Sequence, residues 1–153
     1  MSTIKDLLLE TRMPAKKKAQ DAQFLNVDLD VYSRSDLQPF VDGFGKKVIA
    51  LHVGREGRRY SAHLELAGFQ KPSADSTIRA FCVLVRALPT TERELWNRAE
   101  TREFSVGVQA AKQPFASDFR IEARTVKAVA ELGAVIVLTV YGPEKAKRRT
   151  VSK

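Results

Sequence analysis

Phe24-Leu25-Asn26-Val27-Asp28-Leu29-Asp30-Val31-Tyr32 alternates apolar and polar side chains without a break. Leu25, Val27, Leu29 and Val31 share one face, and Asn26, Asp28, Asp30 and Tyr32 share the other. That is the period of a half-buried β-strand. Ser33-Arg34-Ser35-Asp36 then offers capping groups, and Leu37, Phe40, Val41 and Phe44 follow at helical spacing, with Gly45 as the expected C-cap.

Two further strands, 47–53 and 60–66, flank Gly54-Arg55-Glu56-Gly57-Arg58-Arg59 and read as a hairpin. Residues 74–88 are the longest predicted helix, with Asp75 near its start and Ile78, Phe81, Cys82 and Val85 on one stripe. Pro89 interrupts it, and a second helix runs over 91–100 with Thr91 and Glu94 at capping-box spacing. Strands follow at 103–110 and 118–122, then a short helix over 125–132 closed by Gly133. Residues 134–141 are almost unbroken in apolar character, which predicts a central strand buried on both faces.

The order β-α-β-β-α-α-β-β-α-β predicts an α+β fold: a mixed six-stranded sheet with its helices mainly on one face. Crossovers over 24–53 and 118–141 are each expected to be right-handed. A chain of 153 residues is the size of one domain. The expected organisation is a flexible basic leader over 1–23, a single α+β domain over 24–141 and a disordered basic tail over 142–153. Met13 is an alternative start to Met1.

The net charge of +8 suggests nucleic acid until it is located. Five basic and three acidic residues fall in 1–23, and five and one in 142–153. The intervening segment holds sixteen and fourteen. The excess rides on the two ends, which implies weak, salt-sensitive attraction to polyanions rather than specific nucleic-acid recognition. No apolar run approaches a membrane span, and acids interrupt the N-terminal segment where a secretory signal needs an apolar core. A cytoplasmic location without membrane association is expected by elimination. The single cysteine excludes an internal disulfide and fits a reducing compartment.

Several stretches run in the order of a known family: Phe24-Leu25-Asn26-Val27, Ser35-Asp36-Leu37, Gln113-Pro114-Phe115, Phe119-Arg120-Ile121, Thr125-Val126, Ala130-Glu131-Leu132-Gly133 and Val137-Leu138-Thr139-Val140-Tyr141. Over roughly 24–141 the chain resembles an uncharacterised bacterial family known only as a domain of unknown function. It departs from that family in having its only tryptophan, Trp96, on a helix and none on the hairpin strands. The resemblance implies a fold and no activity or site.

Candidate site residues come from the hairpin. A turn symmetric about Glu56-Gly57 places Ile49, Leu51 and Val53 opposite Leu64, Ala62 and Tyr60 on the core face. Val48, Ala50, His52, Ser61, His63 and Glu65 take the other face. If the first strand neighbours the hairpin, one open sheet face collects Asp28, Asp30, His52, His63 and Glu65. Imidazoles and carboxylates are suited to a divalent metal or to proton transfer near neutral pH, or they simply make a solvated polar face. Arg55, Arg58 and Arg59 at the hairpin tip are candidates to anchor an acidic partner. The loop does not match a phosphate-binding loop, Gly-x-Ser-x-Gly is absent, and no cofactor is expected. Cys82 reads as packing within an apolar stripe, and Trp96 as core before exposed anchor.

Three functions follow as expectations. The first is a small non-enzymatic protein-interaction module. The second is a metal-binding protein or metal-dependent hydrolase built on the polar sheet face. The third is weak, non-specific nucleic-acid binding through the tails. Partner identity and oligomeric state stay open.

Overall fold

The computed structural model describes residues 21–68, 73–112 and 116–143. The expectations for a basic leader and a disordered tail fall mostly outside these residues. Among them the order is β1 (Gln23–Ser33), α1 (Gln38–Asp42), β2 (Val48–Glu56), β3 (Arg59–Leu66), α2 (Ala74–Arg86), α3 (Thr90–Arg98), β4 (Thr101–Gln109), α4 (Ala123–Glu131) and β5 (Val135–Tyr141). The architecture is α+β around one mixed sheet of order β2-β3-β1-β4-β5, in which only β4 and β5 run parallel.

The alternation in β1 governs the layering. Val27, Leu29 and Val31 are buried, while Asp28, Asp30 and Tyr32 stay partly exposed on the opposite face; Leu25, expected beside Val27, is exposed where the ladder shifts register between Phe24 and Asn26. Ile78, Phe81, Cys82 and Val85 of α2 and Ala128 and Val129 of α4 join the same apolar cluster as Val27, Leu29, Val31, Phe104 and Val106. Each large aliphatic or aromatic side chain withdrawn there is worth about 1.5–3 kcal/mol. Trp96 is fully buried, stacks on Phe40 and donates its indole N–H to the Leu132 carbonyl at 3.0 Å. It is core.

Five strands form, not six. Residues 118–122 carry no ladder; they lead directly into α4, fixed by the Glu122 amide donating to Asp75 Oδ1 at 2.9 Å. The parallel crossover expected from 118–141 is instead β4-α4-β5. In the other crossover, β1-α1-β2, the strand β3 fills the place between β1 and β2.

Local caps also differ from expectation. Ser73 and Ser76 close the capping box, at the start of α2. Pro89 is the N-cap residue of α3, and no side chain caps that end, so Thr91 and Glu94 form no box. Helix α1 stops at Asp42 with Gly43 as its C-cap; Gly45, at φ 60°, starts a single 3₁₀ turn into β2. Gly133 follows α4 at φ 66°, as the C-cap pattern requires.

The hairpin register is corrected as well. The loop shrinks to Gly57-Arg58, and His52 pairs with His63, Val53 with Ala62 and Arg55 with Tyr60. A bulge at Leu51 then shifts the ladder, so that Ala50 meets Leu64 and Ile49 meets Glu65. Ile49 and Leu51 are therefore exposed rather than in the core.

The largest correction concerns β5. It is an edge strand, and all seven of its residues are exposed. Its apolar run predicts cover on both faces. Within the described chain neither face is fully covered.

Candidate functional site

The open face of the sheet carries the polar side chains singled out in the sequence. Asp30 pairs with His63 on β3 and with Glu103 on β4, and Asp28 lies opposite Ser105. His63 Nδ1 is 2.7 Å from Asp30 Oδ1, and the Ser105 hydroxyl donates to Asp30 Oδ2 at 2.6 Å. On the far side, His63 Nε2 lies 3.5 Å from Glu56 Oε2, which also accepts from the Ser61 hydroxyl at 2.7 Å. The imidazole sits edge-on to Tyr32, with ring centroids 5.7 Å apart. His52 is directly across the ladder, its ring also 5.7 Å away. The two histidines share a face as expected, by a different register.

Charge on this face is unevenly balanced. Burial opposes protonation of His63, but the Asp30 and Glu56 carboxylates outweigh it and raise its pKa above the ordinary 6.5. Asp28 is less well served. Burial, then Glu65 and Asp30, push its carboxyl up to about 6, against smaller help from His63 and the Asn26 amide. Glu56 is lowered, chiefly by the hydrogen bonds from Ser61 and His63.

The wiring limits what these groups can do chemically. Serine, histidine and aspartate are all present, but the serine bonds the carboxylate and not the imidazole. A nucleophile needs its base within hydrogen-bond reach, and here the base faces carboxylates on both sides. Among the described residues, no three histidine, cysteine or acidic side chains are disposed to hold one metal ion. Asp30 and His63 are brought together and His52 beside them, while Asp28 and Glu65 interact at a separate point of the face.

The three arginines do not converge. Arg55 lies over the Tyr60 ring, Arg59 lies over Tyr32 and pairs with Glu100 at 3.4 Å, and Arg58 is exposed in the turn. Cys82 is buried, and burial pushes its thiol up to about 11, which makes it inert as a nucleophile.

The surface that sequence reasoning missed is β5. Leu138 and Val140 are 61% and 58% exposed, and Val135, Ile136, Val137 and Tyr141 accompany them. Among the described residues nothing pairs with the outer edge of this strand. Along its helix side runs a groove of about 570 Å³ in which Val106, Phe119, Ile121, Ile136 and Leu138 lie beside Ser117, Asp118 and Arg120. The signal was visible as an apolar run; its position at the edge was not.

Among the described residues no helix is long and apolar enough to cross a membrane. Comparison with known proteins finds no matching family model, no matching curated protein and no matching solved structure.

Proposed function

We propose that this chain is a protein-interaction module whose working surface is the outer edge of β5. One observation carries the reading. Of the twelve large apolar side chains exposed among the described residues, six lie on this single seven-residue strand. A contiguous exposed apolar patch marks a binding surface, and an unpaired strand edge offers backbone donors and acceptors to an incoming strand. The opposite edge, β2, is blunted by the bulge at Leu51 and by Arg55 and Glu56 at its end. β5 has no such protection.

Other classes draw less support. Among the described residues, the serines of the polar face bond carboxylates and not the His63 imidazole, which gives catalysis less support there. Asp28, Asp30, Glu65 and Glu103 give that face an acidic character that repels phosphate.

The test uses the immobilised full chain against a Leu138→Lys/Val140→Lys variant, with Arg55→Ala/Arg58→Ala/Arg59→Ala as a control for the hairpin tip. Polypeptides held by the wild type and the arginine variant but released by the β5 variant are the expected result. Equal retention by all three refutes β5 as the binding surface.

A further inference from the structure

Resting on that reading, we infer that the strand accepted by β5 is β5 of a second copy, running antiparallel about a two-fold axis at Leu138. The first support is the conflict between pattern and position. Val135-Ile136-Val137-Leu138-Thr139-Val140-Tyr141 has the composition of a strand covered on both faces, yet it stands at the edge of its own sheet. Pairing β5 with β5 of a second copy turns two edges into the two central strands of one continuous sheet and gives the backbone groups along both edges their partners.

The second support is charge. A two-fold axis sets each residue near its own symmetry mate, so any charged side chain close to the axis meets its like. The chain is 29% charged and carries +8, but β5 holds no charged residue at all. Self-pairing therefore meets no like-charge repulsion along the strand. A strand specialised for an acidic or basic partner would carry complementary charges.

Cross-strand partners agree with this register. Leu138 meets Leu138, Val137 meets Thr139, Ile136 meets Val140 and Val135 meets Tyr141. These are aliphatic, β-branched and aromatic pairs of the kind that stabilise antiparallel ladders. Ile136, Leu138 and Val140 extend the buried row of Phe104, Val106 and Val108 on the neighbouring strand, and the groove beside Phe119 and Ile121 receives apolar side chains from across the axis. The axis runs perpendicular to the sheet, so both helical layers lie on one side and both acidic faces on the other. Growth into a filament by β5 adding to β2 is opposed by the bulge and the charged end of β2, so the assembly closes at two.

Sedimentation equilibrium of the full chain at about 100 μM, above the micromolar range of many specific complexes, tests the inference. The expected mass is twice the 17.1 kDa of the chain, with dissociation at lower salt as screening of the positive charge weakens. Leu138→Lys is expected to sediment as a monomer with unchanged circular dichroism. Register is read with thiols, because the native Cys82 is buried. Leu138→Cys is expected to cross-link to itself with a short bismaleimide, whereas Val135→Cys is not, since those residues lie about 20 Å apart across the axis at about 3.3 Å per residue. A wild type that stays monomeric overturns the second-copy inference and leaves the edge reading to the retention assay above. A dimer that ignores Leu138→Lys, or that cross-links equally through Val135→Cys, overturns it too.

Discussion

His63 and Asp30 face each other on neighbouring strands, imidazole Nδ1 to carboxylate Oδ1 at 2.7 Å, and this pair joins β3 to the middle of the sheet. The folded pKa of His63 lies above its unfolded value near 6.5, through its carboxylate partners. A raised pKa means that the stabilisation is fully present below the unfolded pKa and is lost as pH rises through the folded one. His63→Gln is therefore expected to destabilise by about 1 kcal/mol at pH 5.5, a value kept small by the partial exposure of the pair. Its effect should shrink by pH 8.5. Urea unfolding at the two pH values checks this; an equal loss at both would remove the charge from the explanation.

Asp28 acts in the same direction for another reason. Its carboxyl is held neutral up to about 6 by burial and by Glu65 and Asp30, against an ordinary 3.8. The favourable contribution is complete below 3.8 and is lost as pH rises through 6, so ionised Asp28 is a burden at pH 7.5. Discounted for solvent screening, the burden is about 1 kcal/mol. Asp28→Asn should raise the melting temperature at pH 7.5 by about 3 °C and leave it unchanged at pH 4. No gain at pH 7.5 would show that the carboxylate is neutralised in another way.

Features set by local chemistry were legible in the sequence: the alternation of β1, the apolar stripe of α2, the glycine after α4. Those set by long-range pairing were not. The turn suggested a register centred on Glu56-Gly57, but the loop is Gly57-Arg58 and a bulge at Leu51 absorbs one further residue. The change of loop alone moves His52 by two places, which keeps it on the face of His63. Past the bulge the parity is reversed, and Ile49 turns outward. Ser105 joins the polar network because sequence spacing does not say that β4 becomes the neighbour of β1, and Glu56 joins it because the shorter loop brings Glu56 into the ladder. An apolar run, as in β5, specifies burial on two faces and not a place in the sheet order.

Asp75 shows how a segment without a ladder is held. Burial works against its charge, but the Glu122 amide and the Arg79 guanidinium, both within hydrogen-bond distance, help to outweigh burial and lower its pKa. A lowered pKa means the stabilisation is present above the unfolded value and is lost as pH falls through the folded one. Asp75→Ala should cost about 1–2 kcal/mol at pH 7, because the Glu122 amide loses its acceptor. Hydrogen exchange should rise over 117–122 and at the start of α4 while β1 stays protected. Unchanged exchange at Glu122 would mean that this contact does not hold the segment.

Arg102 ties together two helix ends that have no capping side chain of their own. One nitrogen, Nη1, donates to the carbonyls of Trp96 and Asn97 at 2.9 and 3.1 Å, at the end of α3, and Nε donates to Gly133 at 3.0 Å, beyond α4. The guanidinium also lies over the Trp96 ring, 5.8 Å from its centroid. A planar fork serves both ends at once, and an ammonium presents a single point. Arg102→Lys is therefore expected to lose nearly as much stability as Arg102→Ala, about 2 kcal/mol, although it keeps the charge. Trp96 is the only tryptophan, so its emission reports the event directly. Both variants should unfold at lower urea, with the folded-state emission already shifted to the red as the ring loses its cover. Full rescue by lysine would reduce the role of Arg102 to its charge, and would leave the ends of α3 and α4 to be held by the packing of Trp96 and Leu132.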